Sequence, residues 1–156
     1  MIQSRNREIY FRYWQSLVII FLYLSIDETS VIHERLNKVD YFFKTGGFFY
    51  FAWVIPAIFM VSIFVLFYLR FLAHLRPKTS RLFWLSGIIY VLGALGIEMI
   101  GASIAESSGE GLVGLTYTIC AHFEEGFELL SLSIFIYALL DYLHFKLQNS
   151  VIYVKE

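Results

Sequence analysis

A single cysteine, Cys120, stands in a chain of 156 residues, so neither an internal disulfide nor a CxxC metal or redox motif can form. Proline is almost as scarce, with Pro56 and Pro77 the only two, and few helix breakers leave long stretches free to be helical. Charged residues make up only 16% of the chain, and the net charge of −1 lacks the basic excess that draws a protein to nucleic acid. Nucleic acid is therefore not an expected partner. Repeats, low-complexity tracts and long linkers are missing too, which leaves 1–156 as one transmembrane domain. No Ser-His-Asp arrangement or glycine-rich phosphate loop is present: "GALG" and "GEGLVG" fit packing and loop glycines.

What the chain does have is apolar surface: 58% of it is hydrophobic and 19% aromatic, with a mean hydropathy of +0.65. That is far above the apolar share of a soluble domain, and it predicts an integral membrane protein with the lipid bilayer as its solvent. Arg5, Arg7 and Arg12 precede an apolar run from Leu17 to Ile26, but Asp27-Glu28-Thr29-Ser30 follows instead of a small-x-small cleavage pattern. An uncleaved first span is expected. Runs approaching the ~20 residues a bilayer requires place spans at about 10–36, 46–75, 81–106 and 112–143, separated by breakers at Thr45-Gly46-Gly47, Pro77 to Ser80 and "ESSGEG". The expected class is all-α, an integral membrane four-helix bundle.

Nine of the twelve Lys and Arg residues lie in the N-terminal segment, the connection after the second span and the C-terminal tail; Arg35, Lys38 and Lys44 are the rest. By the positive-inside rule both termini are cytoplasmic, N-in and C-in, in a plasma (inner) membrane. Acids sort the opposite way. Ten of the thirteen fall on the outer side, and only Glu8, Asp141 and Glu156 fall on the inner.

Depth turns this asymmetry into a site. Asp27 lies 15 residues beyond Arg12, Glu98 lies 17 beyond Arg81, and Glu125 lies 16 before Asp141. At ~1.5 Å per residue these are roughly 22, 25 and 24 Å, inside a hydrocarbon layer ~30 Å thick. If the acids only marked span ends, stopping the third at Ile97 or starting the fourth after Glu128 would leave 16 and 12 uncharged residues, the latter too short to cross. Ionisable groups at such depth cost at least ~2.5–3.5 kcal/mol each and mark function. Around the fourth helix His122, Glu125 and Glu128 form an arc centred on Glu125, with Glu124 pointing away from it. Asp27 and Glu34 share a face of the first, with His33 beside them. Glu98 has Ala94, Gly101, Ala102 and Ala105 near its own face, and such small residues let helices approach. Pro56 would release the Ala52 carbonyl in the second, as an ordinary membrane proline kink or as part of the site.

Crowded carboxylates and imidazoles in a low dielectric need protons or a cation. A transition metal, iron, manganese or zinc, suits mixed imidazole and carboxylate ligands. The inventory of Asp27, Glu28, His33, Glu34, Glu98, His122, Glu125 and Glu128 matches in number a di-iron-like set of acids and histidines in a helical bundle, although no Glu-x-x-His pair occurs. If the chain is an enzyme, the expected class is a metal-dependent membrane oxidoreductase acting on a lipid or quinone. Three further readings stay open. The acids could relay protons or pass cations, although the inner halves of the helices offer no polar steps. Haem could be held by His33 with His122 or by His74 with His144, but its pockets are mostly apolar and it ranks below a metal ion. The aromatic surface could serve an accessory subunit of a larger membrane complex, or a homo-oligomer.

The segment "LSIDETSVIHERL", Leu24 to Leu36, resembles a D-E-x-x-x-x-H-E stretch that ends the first span in small, uncharacterised multi-pass bacterial membrane proteins. Ile97-Glu98 and Phe123 to Glu128 are similar to later elements of the same proteins. The resemblance implies no activity; it implies that Asp27, Glu28, His33, Glu34, Glu98, Glu125 and Glu128 are the polar positions of that group.

Overall fold

The computed structural model describes residues 2–30, 32, 45–109 and 111–153. Among these there is no strand. Helix α1 (Ile2–Ser30) belongs to a stretch with neither glycine nor proline before Gly46, so nothing in it interrupts backbone hydrogen bonding. Residues 33–44, which include the last four of the expected first span, lie outside the described residues.

Helix α2 (Val54–His74) starts later than the expected residue 46. Gly47 adopts φ 60°, a left-handed conformation that an α-helix cannot include, and a 3-10 turn over Gly47–Phe49 follows. The Glu106 carboxylate accepts a hydrogen bond from the Gly47 N–H and ties this turn to the C-terminal end of the helical stretch that follows α2. Pro56 therefore falls in the first turn of α2, where a missing N–H loses no helical bond. Neither expectation for Pro56 holds. It makes no mid-helix kink, and the Ala52 carbonyl is not released, because it accepts from the Ile55 N–H at 3.3 Å.

α2 ends at Leu75, whose ψ of 156° leaves the helical region, and Arg76 is likewise non-helical at ψ 138° because Pro77 follows it. Pro77 opens helix α3, which is α-helical over Pro77–Val91, widens into a π turn over Leu92–Ile97 and returns to α over Glu98–Ser107. Helix α4 (Leu115–Tyr153) completes the chain. α2, α3 and α4 are each long and apolar enough to cross a membrane. α1 is not among them, because its apolar run from Leu17 to Ile26 is short and flanked by Gln15, Ser16, Asp27 and Glu28.

α3 and α4 pack along each other through all three segments of α3. Toward one end, Leu17, Tyr68, Phe71, Phe83 and Ala138 form a core to which all four helices contribute. α1 joins it through aromatic rings: Tyr13 and Trp14 lie against Phe71, Phe21 stacks on Phe135 at 4.7 Å, and Trp14 stacks on Tyr142 at 5.1 Å. The buried Tyr68 hydroxyl donates to the Tyr13 carbonyl at 3.1 Å and lies 2.6 Å from Ser16 Oγ. Tyr68→Phe should therefore lower stability by about 1 kcal/mol, the usual net worth of one hydrogen bond, with no change in helix content; thermal unfolding in detergent followed by circular dichroism measures this. At the same end Asp141 pairs with Lys78 at 2.5 Å and with Arg76 at 3.9 Å. A second core of Phe51, Val54, Leu95 and Ala102 lies at the other end, between the start of α2 and the C-terminal half of α3.

Candidate functional site

The C-terminal half of α3 has two faces. Leu95, Met99 and Ala102 pack in the second core with Val54, Ala57 and Val61 of α2, whereas Gly93 and Gly101 face α4, and Glu98 falls at the edge between these two faces, where it can reach α4. The approach there is close because Gly93, in the π turn, has no side chain: a Cβ at that position would stand 2.8 Å from Phe127 Cβ and 3.3 Å from the Glu124 carbonyl oxygen. Gly101 adjoins the Tyr117 ring at 3.5 Å and Cys120 Cβ at 3.6 Å in the same sense. Gly101, Ala102 and Ala105 are buried, as expected of small residues beside Glu98.

Across this contact the carboxyl groups of Glu98 and Glu124 stand within side-chain hydrogen-bonding reach of each other. Both are half-buried. Glu128, one turn on from Glu124, and Glu28 of α1 are near enough to Glu124 to act on its charge. Tyr90, two residues before the π turn, sits within the same electrostatic reach of Glu128, Glu28, Asp27 and Glu124. Asp27 and Glu128 are half-buried and Glu28 is exposed.

The rotation of α4 differs from the one expected. Glu124, Ser131 and Ala138 recur every seven residues on the inward side, Ser131 and Ala138 being buried, and the two small residues set which face meets α3. Glu124 is thus the acid that meets Glu98, whereas Glu125 is turned outward. His122 and Glu125 form a pair at 3.8 Å with their side chains 73% and 69% exposed. The spacing of Ser131 and Ala138 was the signal available in the sequence for choosing Glu124. His33 and Glu34 lie outside the described residues. Among the described residues, no three of His, Cys, Asp and Glu stand close enough together to hold one metal ion.

The histidines considered for haem have other contacts. His74 stacks on the Tyr10 ring at 4.1 Å with the planes 9° apart. His144 is exposed toward the C-terminal end of α4.

The pattern of the family described as "Domain of unknown function (DUF8692)" matches residues 1–143, and the chain belongs to that family. No curated protein and no solved structure matches it. The matched region contains the whole Glu98 and Glu124 contact.

Proposed function

We propose that this chain is an integral membrane protein, a four-helix bundle with both termini cytoplasmic, that holds a cation at the Glu98 and Glu124 carboxyl pair in its outer half. The three strongly apolar helices support the membrane placement, and the distribution of Lys and Arg supports the orientation. The observation that carries the site is the approach of the two carboxyl groups to within hydrogen-bonding reach across the α3–α4 contact. A hydrogen bond between them requires one proton on the pair, and a metal ion that binds there displaces it.

Glu128, Asp27, Glu28 and Tyr90 supply further oxygen atoms in the neighbourhood. A donor set so rich in oxygen favours a hard ion such as manganese or iron over a thiophilic one. Its ligands are drawn together on loading, since fewer than three stand within reach of one ion beforehand among the described residues. With a redox-active ion the site becomes that of a metal-dependent membrane oxidoreductase, at a depth reachable by a lipid or quinone.

Elemental analysis of protein purified from its native membrane without chelators, joined to infrared difference spectra on adding Mn²⁺ or Fe²⁺, tests this reading. One or two ions per chain are expected, with loss of the C=O band of a protonated carboxyl as metal enters. An empty protein whose carboxyl band ignores both ions would refute it. A second reading, a proton relay, is favoured by the same shared proton and by the nearness of Tyr90 and Glu128 to it. Proton flux into vesicles that depends on Glu98, in protein free of metal, distinguishes the relay from the metal site.

A further inference from the structure

The outward face of α4 has a spacing of its own. Ile119, Gly126, Ser133 and Leu140 recur every seven residues, with His122 and Leu129 between them, and all six are exposed. This is the seam of a two-stranded coiled coil, with small residues at two successive core positions where helix backbones can come close. A Cβ added at Gly126 would meet nothing within 4 Å, so α4's own neighbours do not use that space.

The exposed faces of α2 are apolar, with Phe59 and Leu66 67% and 68% exposed, and lipid covers such residues at no cost. The α4 seam is different because His122 and Glu125 lie on or beside it. Glu125 is 16 residues before Asp141, which puts it roughly 24 Å above the inner end of the span. Ionisable side chains turned to hydrocarbon are unfavourable unless something polar meets them. The 3.8 Å between them within one chain is too long for a hydrogen bond, so the pair does not satisfy itself.

We infer that a second copy of this chain covers the seam, in a two-fold dimer about α4. An imidazole and a carboxylate on one face are self-complementary under a two-fold axis: His122 of each copy faces Glu125 of the other, and two bonds form by one operation. Gly126, beside both residues, lets the two backbones approach closely enough for the exchange. This inference rests on the membrane placement proposed above and is independent of the cation site, since Glu98 and Glu124 lie on the opposite side of α4.

Cysteine cross-linking in native membranes, in a Cys120→Ser background, tests it. Gly126→Cys and Ser133→Cys chains should form disulfide-linked dimers under mild oxidant, and a Leu66→Cys chain on the exposed face of α2 should not. His122→Glu and Glu125→His chains should each run at half the wild-type mass in detergent, and the two expressed together under different tags should co-purify as a mixed dimer. That rescue separates an interface from a folding defect. Absence of cross-linking at Gly126→Cys, equal cross-linking at Leu66→Cys, or capture of a different protein at the seam would each overturn the dimer.

Discussion

Glu124→Gln is expected to leave the helices in place and empty the cation site, lowering affinity for added Mn²⁺ or Fe²⁺ by roughly 100-fold or more. The lower bound follows from metal centres in general, where losing even a residue behind a ligand costs about 10–100-fold. Glutamine keeps the length of the side chain and can donate its amide N–H to Glu98, so the contact across α3 and α4 survives while the second ionisable carboxyl, and with it the proton a metal would displace, is lost. Glu98→Gln should do the same from the other side. Glu125→Gln is the informative control: its carboxylate faces away from Glu98 and is 69% exposed, so metal content should not change. Metal titration of the three purified variants, with circular dichroism to confirm folding, reads the result. Equal loss in Glu125→Gln would move the site to the outer face of α4.

Substitution of Gly93 should damage fold and site together. A methyl group there would lie 2.8 Å from Phe127 Cβ and 3.3 Å from the Glu124 carbonyl oxygen. The second of these is backbone, which cannot swing aside as a side chain can. Relief requires α3 and α4 to separate at the level where Glu98 meets Glu124. Overpacking of this kind costs about 1–3 kcal/mol for Gly93→Ala, and more for Gly93→Leu. Gly87 offers the comparison on the same helix, since a Cβ there meets nothing within 4 Å. Gly87→Ala should stabilise by up to about 1 kcal/mol through helix propensity alone. Thermal unfolding in detergent should move in opposite directions for the two alanine variants, and only the Gly93 variant should lose bound metal.

The helices were legible in the sequence because the chain has long uncharged runs and few breakers, although the segment Pro77 to Ser80, read as a break before a span from 81, is already helical because proline is accepted in a first turn. The start of α2 was harder to place. Its upstream residues are as apolar as the helix, and only the left-handed Gly47 and its bond to Glu106, a residue distant in sequence, keep them out of it. Residue counts alone singled out Glu98, by its distance along the helix from Arg81. The choice between Glu124 and Glu125 was not visible in them, because neighbouring residues on a helix differ by roughly 100° and hydropathy does not distinguish two glutamates. Packing decides between them, through Ser131, Ala138 and the gap at Gly93.

The π turn at Leu92–Ile97 also bears on how the chain tolerates changes in length. Such a turn accommodates one residue more than an α-helix would use over the same rise. Losing a residue elsewhere in α3 would swing all that follows by roughly 100° and carry Glu98 off its partner. Within Leu92–Ile97 a one-residue deletion would be absorbed as the wide turn relaxes to an ordinary one, with the aim of Glu98 preserved. Relatives whose third helix is one residue shorter can thus keep the carboxyl pair, provided the gap falls there.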